Sequence, residues 1–109
     1  MILYWDWNNV DHLAEPGVDR VEVGEVIDTV RPPHPKRLAE GKLVVWGQTR
    51  SGRYLQIIYI YPRDEQIDPA RLAPEDRLKW MNGEDELVYV IHARDLTDDE
   101  KRLLKRQRR

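Results

Sequence analysis

Hydrophobic positions change rhythm several times along the chain, and each rhythm predicts an element. Ile2 to Trp5 is a short apolar and aromatic run, which predicts a strand. Asp6 follows as a side-chain cap for a helix carrying Val10, Leu13 and Ala14 on one face, and Pro16-Gly17 ends it. A second helix starts more sharply, because Asp19 and Glu22 have the spacing of a capping box and Val18 and Val23 occupy the positions of a hydrophobic staple. Its stripe, Val23, Val26, Ile27 and Val30, buries one face against a sheet, and Pro32-Pro33 stops it.

The stretch from Arg31 to Gly41 is rich in proline and charge and predicts an extended connection without packed structure of its own. The rhythm then becomes that of strands. Leu43 to Gln48 and Tyr54 to Tyr61 flank Thr49-Arg50-Ser51-Gly52, a hairpin with a glycine available for the left-handed position. Tyr54 to Tyr61 is apolar on both faces and so reads as a central strand; Leu87 to Ala93 is a third strand. Between them, residues 62–85 are too long for a turn, and Pro74, Leu78, Met81 and Asn82-Gly83 predict a short helix within this insertion. Thr97 and Glu100 form another capping box, Asp98 and Asp99 complement the N-terminus of the last helix, and the basic run 101–109 complements its C-terminus. The expected fold is α+β: an N-terminal strand, two helices, a three-strand antiparallel sheet and a C-terminal helix, in a single domain spanning 1–109.

Composition narrows the function classes. At 109 residues the chain has material for one core. It contains no cysteine, which excludes disulfide scaffolding, thiolate zinc sites and cysteine nucleophiles. No run is long and apolar enough for a membrane span, and the first residues lack the pattern of a signal peptide, so a cytoplasmic protein with no membrane partner is expected. A formal net charge of -2 argues against a surface that coats nucleic acid throughout. The distribution is uneven: acidic residues crowd Asp6 to Asp28, whereas Arg31, Lys36, Arg37, Lys42, Arg50 and Arg53 follow with only Glu40 opposing. This polarity fits a surface with one basic and one acidic partner, or helices solvated with one sign of charge.

His92 and Arg94 are two apart on the third strand, so the pleat puts both on one face near its C-terminal end, where an anion such as phosphate could be held. Arg53 leaves the hairpin turn and reaches either the same end of the sheet or the opposite one. The competing reading pairs Arg94 with Asp95, Asp98 or Asp99 and packs His92 into a half-buried slot. His12 and His34 have no ligand-spaced partners beyond the commonplace His12 and Glu15 pair, so no metal is expected. Neither a phosphate-cradling glycine loop nor a dinucleotide fingerprint is present, so no cofactor is expected. Most of the Trp and Tyr rings are expected to be structural, with Trp80 on the insertion as the exposed exception.

The order of motifs resembles the BrnT family, the toxin half of a bacterial type II toxin-antitoxin pair with a RelE-like ribonuclease fold. The likeness lies in Tyr4-Trp5-Asp6, in the segment from Gly47 to Leu55, in Ile91-His92-Ala93-Arg94 followed by Thr97 and Glu100, and in Gly17-Val18 with Glu22 to Ile27. The resemblance implies metal-independent cleavage of RNA and neutralisation by a cognate antitoxin protein. Attack of a 2′-hydroxyl on its own phosphate needs a base, an acid and fixed positive charge around the phosphorane. Arg94 and Arg53 match family arginines suited to the last role. His92 stands where the family has serine and belongs to the residue type suited to serve as acid or base. Arg50, Lys42 and Trp80 are the expected RNA contacts, and self-association is left open. Glu15-Pro16-Gly17 stands where the family has Lys-His-Gly, and Arg20 where it has an aromatic residue. The alternative expectation is a catalytically inactive BrnT-like protein-interaction module.

Overall fold

The computed structural model describes residues 1–14 and 16–108; the acidic contribution of Glu15, its pairing with His12 and the final Arg109 lie outside the described residues. The elements are β1 (Ile2–Tyr4), α1 (Trp7–Ala14), α2 (Arg20–Asp28), β2 (Lys36–Arg37), β3 (Leu43–Gln48), β4 (Tyr54–Ile60), α3 (Pro74–Met81), β5 (Leu87–Asp95) and α4 (Asp98–Gln107). Short 3-10 turns occupy Ala39–Gly41, Asp64–Gln66 and Pro69–Arg71. No helix among the described residues is long and apolar enough to cross a membrane.

The α+β class holds, and the sheet is larger than the expected three antiparallel strands. It has five strands in the order β1-β5-β4-β3-β2, with β1 parallel to β5 and the other pairs antiparallel. The two additional members are the shortest strands, and both lie at edges. The stretch 31–41 is correspondingly more structured than its prolines suggest. It holds β2, a 3-10 turn and the buried side chain of His34.

Local signals account for the helices and the hairpin. Asp19 accepts from Glu22 N at 2.8 Å while the Glu22 carboxylate accepts from Asp19 N at 3.2 Å, and Thr97 with Glu100 closes α4 in the same way. Asp6 accepts from the backbone of Asn8 and Asn9 at the start of α1. The buried face of that helix is Asn9 and Leu13, while Val10 is half-buried and Ala14 exposed, a correction to the expected stripe. Asn9 is tied inward because its side-chain amide donates to Tyr4 O at 2.8 Å. The 49–52 turn closes with Gly52 N donating to Thr49 O at 3.0 Å, and Gly52 has φ of 96°.

Two apolar clusters lie on opposite faces of the sheet. On one face, Val23, Val26 and Ile27 of α2 and Leu13 of α1 pack against Val45, Leu55, Ile57, Tyr59, Val88, Val90 and Ala93. Burial pushes the Tyr59 hydroxyl up to about 12. On the other face, Ile67 and Leu72 of the 62–85 insertion cover Ile2, Tyr4 and Leu87, with Trp80 packed at the side. Tyr4 completes this seam by accepting from Asp68 N at 3.0 Å through its hydroxyl. The insertion therefore supplies the cover for β1 and the adjoining end of β5.

Candidate functional site

The pleat decides which candidate residues can meet. Gln56 pairs with Arg94 and Leu55 with Asp95, so successive residues of β5 alternate between the faces. His92 and Arg94 share the face opposite α1 and α2, as expected from their spacing. Arg53 lies at the same end of the sheet but on the α1 and α2 face. Its guanidinium donates to Asp95 at 2.7 and 3.0 Å, to Glu22 at 3.1 Å, and to the carbonyls of Pro16 and Gly17 at 3.1 and 2.9 Å. The Asp95 carboxylate, together with Glu22, raises the Arg53 pKa, and Arg53 in turn holds Asp95 below the usual carboxylate range. Arg53 thus joins the α1–α2 turn to the sheet, and it is not brought into one site with Arg94.

Arg94 is engaged as well, by a carboxylate outside the three weighed from sequence. Its two terminal nitrogens donate to the two Glu100 oxygens at 2.7 and 2.9 Å, and further to Asp95 O and Gln56 Oε1. Glu100 is at N3 of α4, so the residue that closes the capping box also receives the strand arginine. Hydrogen bonding from Arg94 and from the Thr97 backbone holds the Glu100 carboxyl at about 2. Gln56 Oε1 accepts simultaneously from Trp46 Nε1 at 3.0 Å, giving a continuous polar row Trp46, Gln56, Arg94, Glu100 across β3, β4, β5 and α4. His92 is exposed on this face rather than packed into a slot, and it pairs across the sheet with Ile58.

The expected RNA contacts are scattered. Arg50 is exposed on the turn beside Glu25 at 3.5 Å, and Lys42 faces Glu40 at 3.8 Å. Trp80 is half-buried in the insertion cluster, which corrects its placement as the exposed ring. The exposed tryptophan is Trp7, at 77% of its surface, at the start of α1. Its position directly after a helix-capping Asp6 could have signalled this, since the side chains of a first turn often face solvent. His12 places Nδ1 3.3 Å from Ile91 O. His34, passed over as a loop histidine, is 6% exposed and stacks on Trp46 with ring centroids 5.7 Å apart. Comparison with protein-family models, with curated proteins and with solved structures finds no match.

Proposed function

We propose that this chain is a BrnT-like scaffold acting as a catalytically silent protein-interaction module. The observation that carries this reading is the engagement of Arg94. Both of its terminal nitrogens are directed at Glu100, and a phosphorane would have to displace a carboxylate that stays ionised down to about pH 2. Arg53, on the other side of the sheet, is held by Asp95 and Glu22 and cannot add its charge to the same anion. The resemblance in motif order is supported by the succession of strand, two helices, hairpin, strand and capped helix, and a RelE-like arrangement in a cytoplasmic protein belongs to the same proposal. Contact surface is available in Trp7 and Val21 near the starts of α1 and α2 and in Leu78 and Met81 on α3, all more than half exposed. Large exposed side chains of this kind, aromatics above all, anchor protein interfaces.

One observation favours the ribonuclease reading, in which the chain is a BrnT-like toxin that cleaves RNA and is neutralised by a cognate antitoxin. His92 is open to solvent two residues before Arg94 on one face. In that reading His92 moves the proton and Arg94 exchanges Glu100 for the phosphorane. Induced expression in a bacterial host, with growth and reporter RNA followed together, separates the two. The interaction module leaves growth normal and RNA intact. Growth arrest with RNA cleavage, both abolished by His92→Ala, would establish the toxin instead. His92→Ala is more diagnostic than Arg94→Ala, which also removes the tie between β5 and α4.

A further inference from the structure

The cations of this chain fall into two sets. Arg50, Arg53, Arg63, Arg94 and Arg102 each face a carboxylate at ion-pair distance. Among the described residues, ten cations have no carboxylate partner, Arg31, Lys36, Arg37 and Arg108 among them, and Glu40, near Lys36 and Arg37 in the chain, is taken by Lys42. Three of these cations, Arg31, Lys36 and Arg108, come from the two ends of the sequence to the neighbourhood of His34, whose backbone N donates to Arg31 O at 3.0 Å. Arg31 follows α2, Lys36 and Arg37 form β2, and Arg108 caps the C-terminus of α4. Arg108 donates to Trp46 O at 3.1 Å, and the His34 ring covers the same Trp46.

His34 is the single buried residue between 31 and 40, and among the described residues its Nδ1 has no hydrogen-bond partner; the other buried side-chain atoms without one are the Nε of Arg108 and the Oε1 of its neighbour Gln107. Buried polar atoms are normally satisfied, so two unsatisfied nitrogens in one cationic cluster call for an explanation. Electrostatics points the same way. His34 is lowered by burial and then by Lys36 and Arg108, and Arg108 is lowered by burial and then by Arg31. Like charges held together without a counter-ion cost free energy that a bound anion recovers.

We propose that Arg31, Lys36 and Arg108, gathered around Trp46 and the buried His34, form a binding site for a phosphate group. Guanidinium groups present paired N–H donors that match phosphate oxygens, and Lys36 adds a compact charge. The phosphate is either a free anion or the phosphodiester of a nucleic acid strand, and the test separates these sources. The proposal goes beyond the interaction reading and uses none of its contact residues, so either can fail alone.

The ring resonances of the histidines, followed by NMR through the imidazole titration, report the site directly. An anion held beside His34 raises its pKa, whereas His12 and His92 serve as internal references. Inorganic phosphate and a single-stranded oligoribonucleotide are titrated separately against the wild type, an Arg31→Gln/Lys36→Gln variant and a Lys42→Gln control. Both substituted residues of the first variant are exposed, so its fold should be retained, and the unchanged spectrum of the remaining residues checks this. The expected result is an upward shift of the His34 titration that the double variant weakens by about tenfold in ligand affinity and the control leaves alone. Response to phosphate at concentrations where the oligonucleotide adds nothing assigns a free-anion site; response to the oligonucleotide at much lower concentration assigns a strand. An unmoved His34 with both probes overturns the proposal, as does an equal response in the double variant. A stronger response to polyglutamate than to either probe overturns the phosphate assignment.

Discussion

Arg53 uses all five guanidinium N–H groups on protein acceptors: two on Asp95, one on Glu22, and one each on the carbonyls of Pro16 and Gly17. A side chain satisfied so completely is a structural tie, and its substitution should be felt in stability. Arg53→Gln is expected to lower unfolding free energy by about 2–3 kcal/mol, as for hydrogen bonds to charged groups, in chemical denaturation. Arg50→Gln, exposed and beside Glu25 alone, should change it by no more than about 0.5 kcal/mol. Equal effects would contradict the tie. Both arginines look alike in sequence, one within the hairpin turn and one directly after it, and the difference lies in acceptors contributed by segments far away in the chain. Gly47 makes the same point through shape. A Cβ there would meet Val26 Cγ1 at 3.0 Å, where α2 packs on β3. Gly47→Val should therefore destabilise by about 1–3 kcal/mol through overpacking, read in the same denaturation experiment.

At the scale of elements, α4 shows how far local pattern reaches. Thr97 and Glu100 announce its start, and both capping hydrogen bonds form. Most of its residues are charged, yet Leu104 is 1% exposed, Lys101 and Lys105 lie over the Tyr54 ring, and Arg108 reaches Trp46 O. One fully buried leucine fixes the helix on the sheet where its neighbour Leu103 remains 39% exposed. Leu104→Ala should accordingly cost about 2–5 kcal/mol, and Leu103→Ala no more than about 0.5 kcal/mol. Similar losses at both positions would mean that the helix is not docked in this way. Elements with internal signals were legible: the capping boxes, the Thr49–Gly52 turn and the two-sided apolar β4. The three residues of β1 and two of β2 carry too few alternations to reveal a partner, so their addition to the sheet was hidden. The same limit applied to the site. Spacing put His92 and Arg94 on one face, but it could not show that Glu100 would reach back from α4 to occupy the arginine, or that His34 would be drawn under a basic cluster.

Across the whole molecule, these ties make stability depend on pH in two separate windows. His34 is lowered in the folded state by burial and by Lys36 and Arg108, so the unfolded chain binds a proton more readily there. The contribution of neutral His34 is complete above the ordinary histidine value of 6.5 and is lost as pH falls from there through the lower value of the folded state. The second window belongs to the carboxylates. Glu100, held at about 2 against an ordinary 4.5, and Asp95, lowered by Arg53, stabilise the fold above the ordinary carboxylate range and cease to do so as pH falls toward about 2. Thermal unfolding recorded against pH in a buffer free of oxyanions should therefore decline in two steps on acidification. His34→Phe keeps an aromatic ring against Trp46 while removing the titration, and it should flatten the upper step alone. Glu100→Gln retains a side chain suited to the capping box while removing the charge opposite Arg94, and it should shrink the lower step alone. If His34→Phe left the upper step unchanged, the cationic environment of His34 would not be coupled to folding. If Glu100→Gln left the lower step unchanged, the tie from Arg94 would contribute nothing to stability, and the arginine would be free to serve the anion that the ribonuclease reading requires.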